Sequence, residues 1–287
     1  MAYTLPNIGI IRPWEFSKNR YIHRRIQLTV GGSGKGGGAT TVASDTLGIP
    51  CPGRLIGITY GTQNLTDSLS GAPVVATSGA LVLKAETTAG VQIFTDADLS
   101  SVPTTPPLAL GTTSLDEAFA ATAATDAFSG GFPVRGGVFA TVTSGTDTEV
   151  IFVDCWFRLC TYVKLELSAQ SGADGTGAVT RLVRLGNAGT LSAVAVDYQN
   201  MPVTTDILIK ADNTNGTTLF TRTSSATDIA PSLVGRPGSD EAIAASAATD
   251  GTDSGNFFKQ GLFIDVAQAD IFTTGDEKIV LEMWIDD

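Results

Sequence analysis

The chain carries much of its own sequence twice, and that duplication limits its fold more than any other feature. ALVLKAETTAGVQIFT, from Ala80 to Thr95, returns as DILIKADNTNGTTLFT, from Asp206 to Thr221, matching Lys84 to Lys210 and Phe94 to Phe220. SLDEAFAATAATDAF, from Ser114, returns as SDEAIAASAATDG, from Ser239, and EVIFVDCWFR returns as EKIVLEMWID through Trp156 and Trp284. The offset is 126 at the lysines, 124 at the Asp116–Glu117 and Asp240–Glu241 pairs, and 128 at the tryptophans. A near-constant offset of that length describes two domains of one kind, not the short period of a solenoid. Duplication of a β module without a catalytic constellation favours a building block over an enzyme.

Periodicity within each copy is that of strands. Ile151, Val153, Cys155 and Phe157 alternate with Phe152, Asp154 and Trp156, and Ile279, Leu281, Met283 and Ile285 alternate with Val280, Glu282 and Trp284. The first set of each is wholly apolar, as a core face requires. The second mixes an acid with a tryptophan, as a surface or interface face would. Short strands between Gly, Asn, Asp, Ser and Thr loops predict antiparallel sandwiches. Only EAFAATAATDAF and EAIAASAATDG read as briefly helical, and they are too short for more than a turn or two.

Upstream, IQLTV from Ile26 resembles VKLEL from Val163, and GRLIGITYGTQN from Gly53 resembles TLSAVAVDYQN from Thr190, with Tyr60 opposite Tyr198. These matches divide the chain into an extended basic arm over 1–21, a first β-sandwich over 22–160 and a second over 161–287. The expected fold is therefore all-β: two tandem antiparallel, jelly-roll-like sandwiches behind an N-terminal arm.

Charge is distributed unevenly. The net charge is −11, yet Arg12, Lys18, Arg20, Arg24 and Arg25 face only Glu15 in the first 25 residues, leaving −15 for the rest. So acidic a body excludes a general nucleic-acid binder, which needs a basic face to displace counterions. A basic arm on an acidic body predicts docking to an acidic partner. The docking set is Ile8, Ile10, Ile11, Arg12, Trp14, Phe16, Lys18, Arg20, Arg24 and Arg25. Its apolar members would fill grooves between subunits. MAYTLPNIGIIRPWEF lacks the pattern of a signal peptide, and no apolar run is long enough to span a membrane. Cys51, Cys155 and Cys160 are odd in number and lack CxxC spacing, so a disulfide framework is not expected.

Candidate chemistry is thin. GGSGKGGGA at 31–39 lacks the Ser or Thr that must follow the lysine of a phosphate loop, and its counterpart QSGADGTGA has no lysine. His23 has no second histidine or nearby thiol to complete a zinc site. Asp96 and Asp98 offer only two alternating ligands of a calcium loop. The DE pairs, with Asp126, Asp250 and Asp253, suit loop-closing hydrogen bonds better than catalysis. No catalytic, metal or cofactor residue is expected, and the chain is not expected to be an enzyme.

The stretch VAVDYQNMPVTTDILIKADNTNGTTLFTRTSSATDIAPS from Val194, with LFIDVAQAD and KIVLEMWID, resembles small β modules of tailed-bacteriophage structural proteins. The shared elements are the DY-Q-x-x-P-x-TTD run, the NG turn, the LFT strand, TD-x-x-P and the VAQA strand. They cover about residues 190–287. The first copy matches only through the second. The resemblance implies a virion component assembled in the host cytoplasm and partnered by the major capsid protein or other virion proteins. On that basis the expected role is capsid decoration or cement, as a homo-oligomer, with a trimer suited to local three-fold sites. A neck, connector or tail component is the first alternative. A carbohydrate-binding or host-contacting fibre module is the second; it would place aromatics in loops.

Overall fold

A computed structural model of the chain describes residues 8–11, 20–30, 40–43, 47–64, 79–87, 89–96, 108–109, 131–144, 149–168, 177–199, 201, 205–223, 227–233, 257–268 and 278–286. Among them every regular element is a strand. In chain order these are β1 (Ile8–Ile11), β2 (Tyr21–Val30), β3 (Thr40–Ala43), β4 (Leu47–Gly48), β5 (Gly53–Asn64), β6 (Gly79–Ala85), β7 (Gln92–Asp96), β8 (Leu108–Ala109), β9 (Phe132–Val134) and β10 (Gly137–Ser144). There follow β11 (Glu149–Leu159), β12 (Thr161–Ser168), β13 (Gly177–Arg184), β14 (Gly189–Asp197), β15 (Thr205–Ala211), β16 (Thr218–Arg222), β17 (Ile229–Leu233), β18 (Phe257–Phe258), β19 (Gly261–Gln268) and β20 (Lys278–Asp286). The Ala-rich segments expected to turn briefly helical lie outside the described residues.

The chain divides into two compact units, Phe16–Leu159, and Cys160–Asp287 together with Met1–Glu15. In the unit Phe16–Leu159, one sheet runs β2-β11-β5-β8 with β9 on β5, and the other runs β3-β10-β6-β7 with β4 on β10. In the second unit, one sheet runs β1-β12-β20-β14-β17 with β18 on β14, and the other runs β13-β19-β15-β16. All pairings are antiparallel. Set β12 beside β2 and β20 beside β11, and the two strand orders coincide sheet for sheet, apart from β1 in the second unit and the two-residue β4 in the first. Each unit closes one core from both of its sheets. One core joins Ile151, Val153, Cys155 and Phe157 of β11 to Leu81, Leu83, Val138 and Val142 of the facing sheet. The other joins Ile279, Leu281, Met283 and Ile285 of β20 to Ile207, Ile209, Leu262 and Ile264.

The duplication extends to backbone detail. The β6–β7 register slips between Leu83 and Lys84, and the β15–β16 register slips between Ile209 and Lys210. Both hairpin turns then close alike: Ala85 N–H donates to Val91 O and Gly90 N–H to Thr87 O, as Ala211 N–H donates to Thr217 O and Gly216 N–H to Asn213 O. A Cβ on Gly90 would lie 1.6 Å from Ala85 O, and one on Gly216 1.6 Å from Ala211 O. Each turn therefore admits only glycine there, which is why the glycine recurs at the lysine offset. A second slip falls opposite each tryptophan, at Trp156/Phe157 against β5 and at Leu191/Ala193 against β20.

A carboxylate closes the adjoining loop in both units. Glu86 and Asp212 stand at φ of 64° and 62°. Asp212 accepts backbone N–H bonds from Lys259 (3.0 Å), Gln260 (2.7 Å) and Gly261 (3.1 Å). Glu86 accepts from Arg135 and Gly136 in the same way. Desolvation opposes ionisation of Asp212, but the amides of Gln260, Gly261 and Lys259, with the Lys259 charge, hold its carboxyl below the ordinary value. A lowered folded-state value means that this stabilisation is full above the ordinary carboxylate range. It is lost as pH falls through the lowered value. Asp212→Ala is expected to cost about 1–2 kcal/mol at neutral pH, and the loss should shrink in acid. Urea unfolding of both proteins at neutral and acid pH measures it; an equal loss at both would mean the carboxylate bonds do not act.

The tyrosine alignment needs correction. Tyr60 lies opposite Val153, and the equivalent core position Leu281 lies opposite Val196, not Tyr198. The alignment by sequence is therefore two residues out, as is the match of Ile26 to Val163: Ile26 pairs with Val153, and Leu165 with Leu281. A slip of two keeps every side chain on its own face, so alternation cannot reveal it.

Candidate functional site

The residues expected to dock a partner do not form one arm. Ile8, Ile10 and Ile11 belong to β1, which pairs with β12 in the register Ile8↔Leu165, Gly9↔Lys164, Ile10↔Val163 and Ile11↔Tyr162. This corrects the expectation of an extended segment without a place in the fold. The pairing partner lies some 150 positions downstream, beyond the reach of local pattern, and the backbone groups on one side of β1 find their partners within the chain. Arg12, Trp14, Phe16 and Lys18 lie outside the described residues. Arg20 adjoins β2, its carbonyl accepting the Leu159 N–H at 2.6 Å. Arg24 and Arg25 are exposed on β2, in the unit Phe16–Leu159.

Around Arg25 the structure assembles a cluster that local sequence does not announce. Arg25 lies directly opposite Asp154, and His23 opposite Trp156. Arg25 donates from Nε to Asp154 Oδ1 and from Nη2 to Oδ2, each at 2.8 Å. His23 Nε2–H donates to Asp154 Oδ1 at 2.7 Å, and the His23 and Trp156 ring centroids stand 5.0 Å apart. The Arg25 guanidinium also lies 5.3 Å from the Phe152 ring centroid. Planar bidentate geometry makes the Arg25–Asp154 pair the strong form of an ion pair. The Arg25 hydrogen bond is the main cause that lowers the Asp154 carboxyl; desolvation opposes it, and His23 adds to it. Asp154 is 14% exposed, His23 48% and Arg25 56%, so the acid is sheltered while its two partners face outward. The signal was present in sequence: YIHRRIQL and EVIFVDCWFR both alternate, and antiparallel pairing of the two faces the basic set with the acid.

In the second unit the equivalent face has a different character. Val280 is 7% exposed, Glu282 9% and Trp284 0%. Trp284 meets Tyr162 edge-on at 5.3 Å, at the position where Trp156 meets His23 in a tilted ring pair. The mixed face of this copy is thus buried, where the alternation left both a surface and an interface open.

Burial makes two of the cysteines, Cys51 and Cys155, poor nucleophiles. All three are buried thiols outside any disulfide, with burial pushing Cys51 up to about 11 and Cys155 up to about 12. Thiols so shifted stay protonated at neutral pH. Among the described residues no group of three or more His, Cys, Asp or Glu side chains converges on a metal position, and no helix is long and apolar enough to cross a membrane. The glycine-rich segment 31–39, the DE pairs, Asp98, Asp126, Asp250 and Asp253 lie outside the described residues.

No protein-family model matches the sequence, and no curated protein matches it. Solved structures that align with it include the major capsid protein P2 from bacteriophage PM2, at 10% identity over 92% of this chain and 98% of that one, with a TM-score of 0.21. Infectious bursal disease virus, Gx strain, aligns at 10% identity over 93% of this chain and 72% of that one, with a TM-score of 0.22. The VP2 subviral particle of the same virus aligns at 9% over 93% and 70%, with a TM-score of 0.19. Alignments at these values establish neither a common fold nor a common role.

Proposed function

We propose that this chain is a bacteriophage virion structural protein built from two tandem jelly rolls, serving as a capsid decoration or cement protein. The observation that carries the reading is the twice-repeated strand order. Numbering the eight principal strands of each unit in sequence, one sheet runs 1-8-3-6 and its partner 2-7-4-5, in both units. Two sheets joined in that order make a jelly roll, an architecture recurrent in viral capsid domains and also in lectins. The resemblance of residues 190–287 to modules of tailed phages points to the virion among these. Against a sugar-binding role, Trp284 is fully buried and has no face to offer a sugar.

A decoration protein works by adding contact area across joints between capsid subunits. Each joint gains little, but the gain recurs at every symmetry-related site. Partners on this reading are the major capsid protein and further copies of the chain, with trimers at local three-fold positions. Quantitative mass spectrometry of purified particles tests it. Roughly hundreds of copies per particle support decoration, and about three, six or twelve assign the chain to the neck or tail, following closed symmetry. Absence from particles overturns the virion reading.

A further inference from the structure

We propose that the open edge of β2 is a docking site for an acidic, extended segment of a partner polypeptide, added as an antiparallel strand. Apart from the short β4 on β10, the two strand orders differ at one sheet edge. In the second unit, the far edge of β12 carries β1. In the first, β2 holds the equivalent place beside β11, and no strand occupies its far edge among the described residues. The equivalence fixes the position of the empty slot. Tyr162 faces Trp284 and Leu165 faces Leu281, as His23 faces Trp156 and Ile26 faces Val153. A strand placed as β1 is placed on β12 would therefore lie along His23–Ile26.

The residues of the slot say what it accepts. Against β1, the second unit presents Tyr162, Val163, Lys164 and Leu165. The first presents His23, Arg24, Arg25 and Ile26. Arg24 thus stands where the duplicate has the fully buried Val163, and His23, Arg24 and Arg25 are all exposed. A second β1 is poorly matched here, because it is apolar and runs directly into Arg12. A strand bearing carboxylates is well matched, most of all opposite Arg24. Arg25 and His23 are already drawn together on Asp154, which orders that face before any partner arrives.

Cationic side chains on an edge can also serve to repel stray strands. Two facts favour recognition. The edge is 10 residues long, so shortness does not protect it. The same edge in the same fold is filled by strand addition within this very chain. Strand addition takes its affinity from main-chain bonds and its specificity from alternate side chains.

The test uses the full-length protein and two synthetic peptides of strand length, one alternating valine with glutamate and one alternating valine with lysine. Backbone amide shifts in an isotope-labelled sample report binding and its location. Expected are binding of the glutamate peptide only, shifts centred on residues 21–26, and weakening with added salt. Arg24→Glu should weaken the glutamate peptide by about tenfold or more and admit the lysine peptide. N-methylation of alternate peptide amides, which leaves charge intact, should abolish binding on one of its two registers. Equal binding of both peptides, no binding of either, shifts away from β2, or indifference to N-methylation would each overturn the proposal. So would self-association of the peptide-free protein that disappears with Arg24→Glu, since the occupant would then be a second copy.

Discussion

Trp284→Ala is expected to destabilise the unit formed by Cys160–Asp287 by about 3–5 kcal/mol, as deletion of a fully buried aromatic does. Trp284 is 0% exposed and is the largest of the fully buried side chains. Its loss would empty the space beside Tyr162 and forfeit the edge-on ring contact, worth about 0.5–1.5 kcal/mol beyond burial. The backbone there is specialised too. Ser192 Oγ–H donates to Trp284 O at 2.9 Å where the β14–β20 register slips. Trp156→Ala, at the same position of the duplicate, should cost only about 1–2 kcal/mol, because that residue is only partly buried. Urea unfolding followed by assigned backbone amide resonances of each unit resolves the two, since a two-unit chain need not melt in one step. Equal losses from the two substitutions would show that the burial of Trp284 contributes nothing particular.

That contrast also shows where the sequence could be read and where it could not. Alternation located both core faces: Ile151, Val153, Cys155 and Phe157 are all 0% exposed, and Ile279 through Ile285 on the same face at most 1%. Alternation reports which residues share a face, and for an inward face apolar composition completes the inference. The other face is harder. Phe152, Asp154 and Trp156 read much like Val280, Glu282 and Trp284, yet the second set is buried and the first is half-buried. Composition does not say what covers a face, because cover comes from elements remote in the chain.

The candidate site is not legible in either strand taken alone, for a related reason. His23, Arg25 and Asp154 are separated by about 130 positions, and only the β2–β11 register brings them together. Charge counting found the basic stretch but assigned it to a single arm. The structure divides it between β1, in one unit, and β2, in the other. Glu86 and Asp212 show the opposite case. Their equivalence was legible because they follow matched lysines at a constant offset, but their work on the amides of a distant loop was not.

Removal of residues 1–11 should weaken the same unit by about 1–3 kcal/mol and make it self-associate. The deletion strips β12 of its outer neighbour, leaving Tyr162, Val163, Lys164 and Leu165 on an open edge. Four facing pairs supply a short ladder whose bonds contribute about 0.5–1.5 kcal/mol each, offset in part by the entropy of ordering β1. The freed edge is apolar at Val163 and Leu165, and such an edge invites pairing between chains. Faster amide exchange in β12, with exchange in β2 unchanged, is the expected signature. Proline substitutions refine the test without removing the segment. In an antiparallel pair, successive residues direct their N–H groups to opposite sides. Only one of Gly9 and Ile10 therefore donates toward β12, and a proline there removes a ladder bond. Gly9→Pro and Ile10→Pro should differ in stability, with the more damaging one reproducing the exchange pattern of the deletion. If the deletion left β12 exchange untouched and the two prolines behaved alike, β1 would be no working strand of this sheet, and the arm would regain its place as a free docking segment.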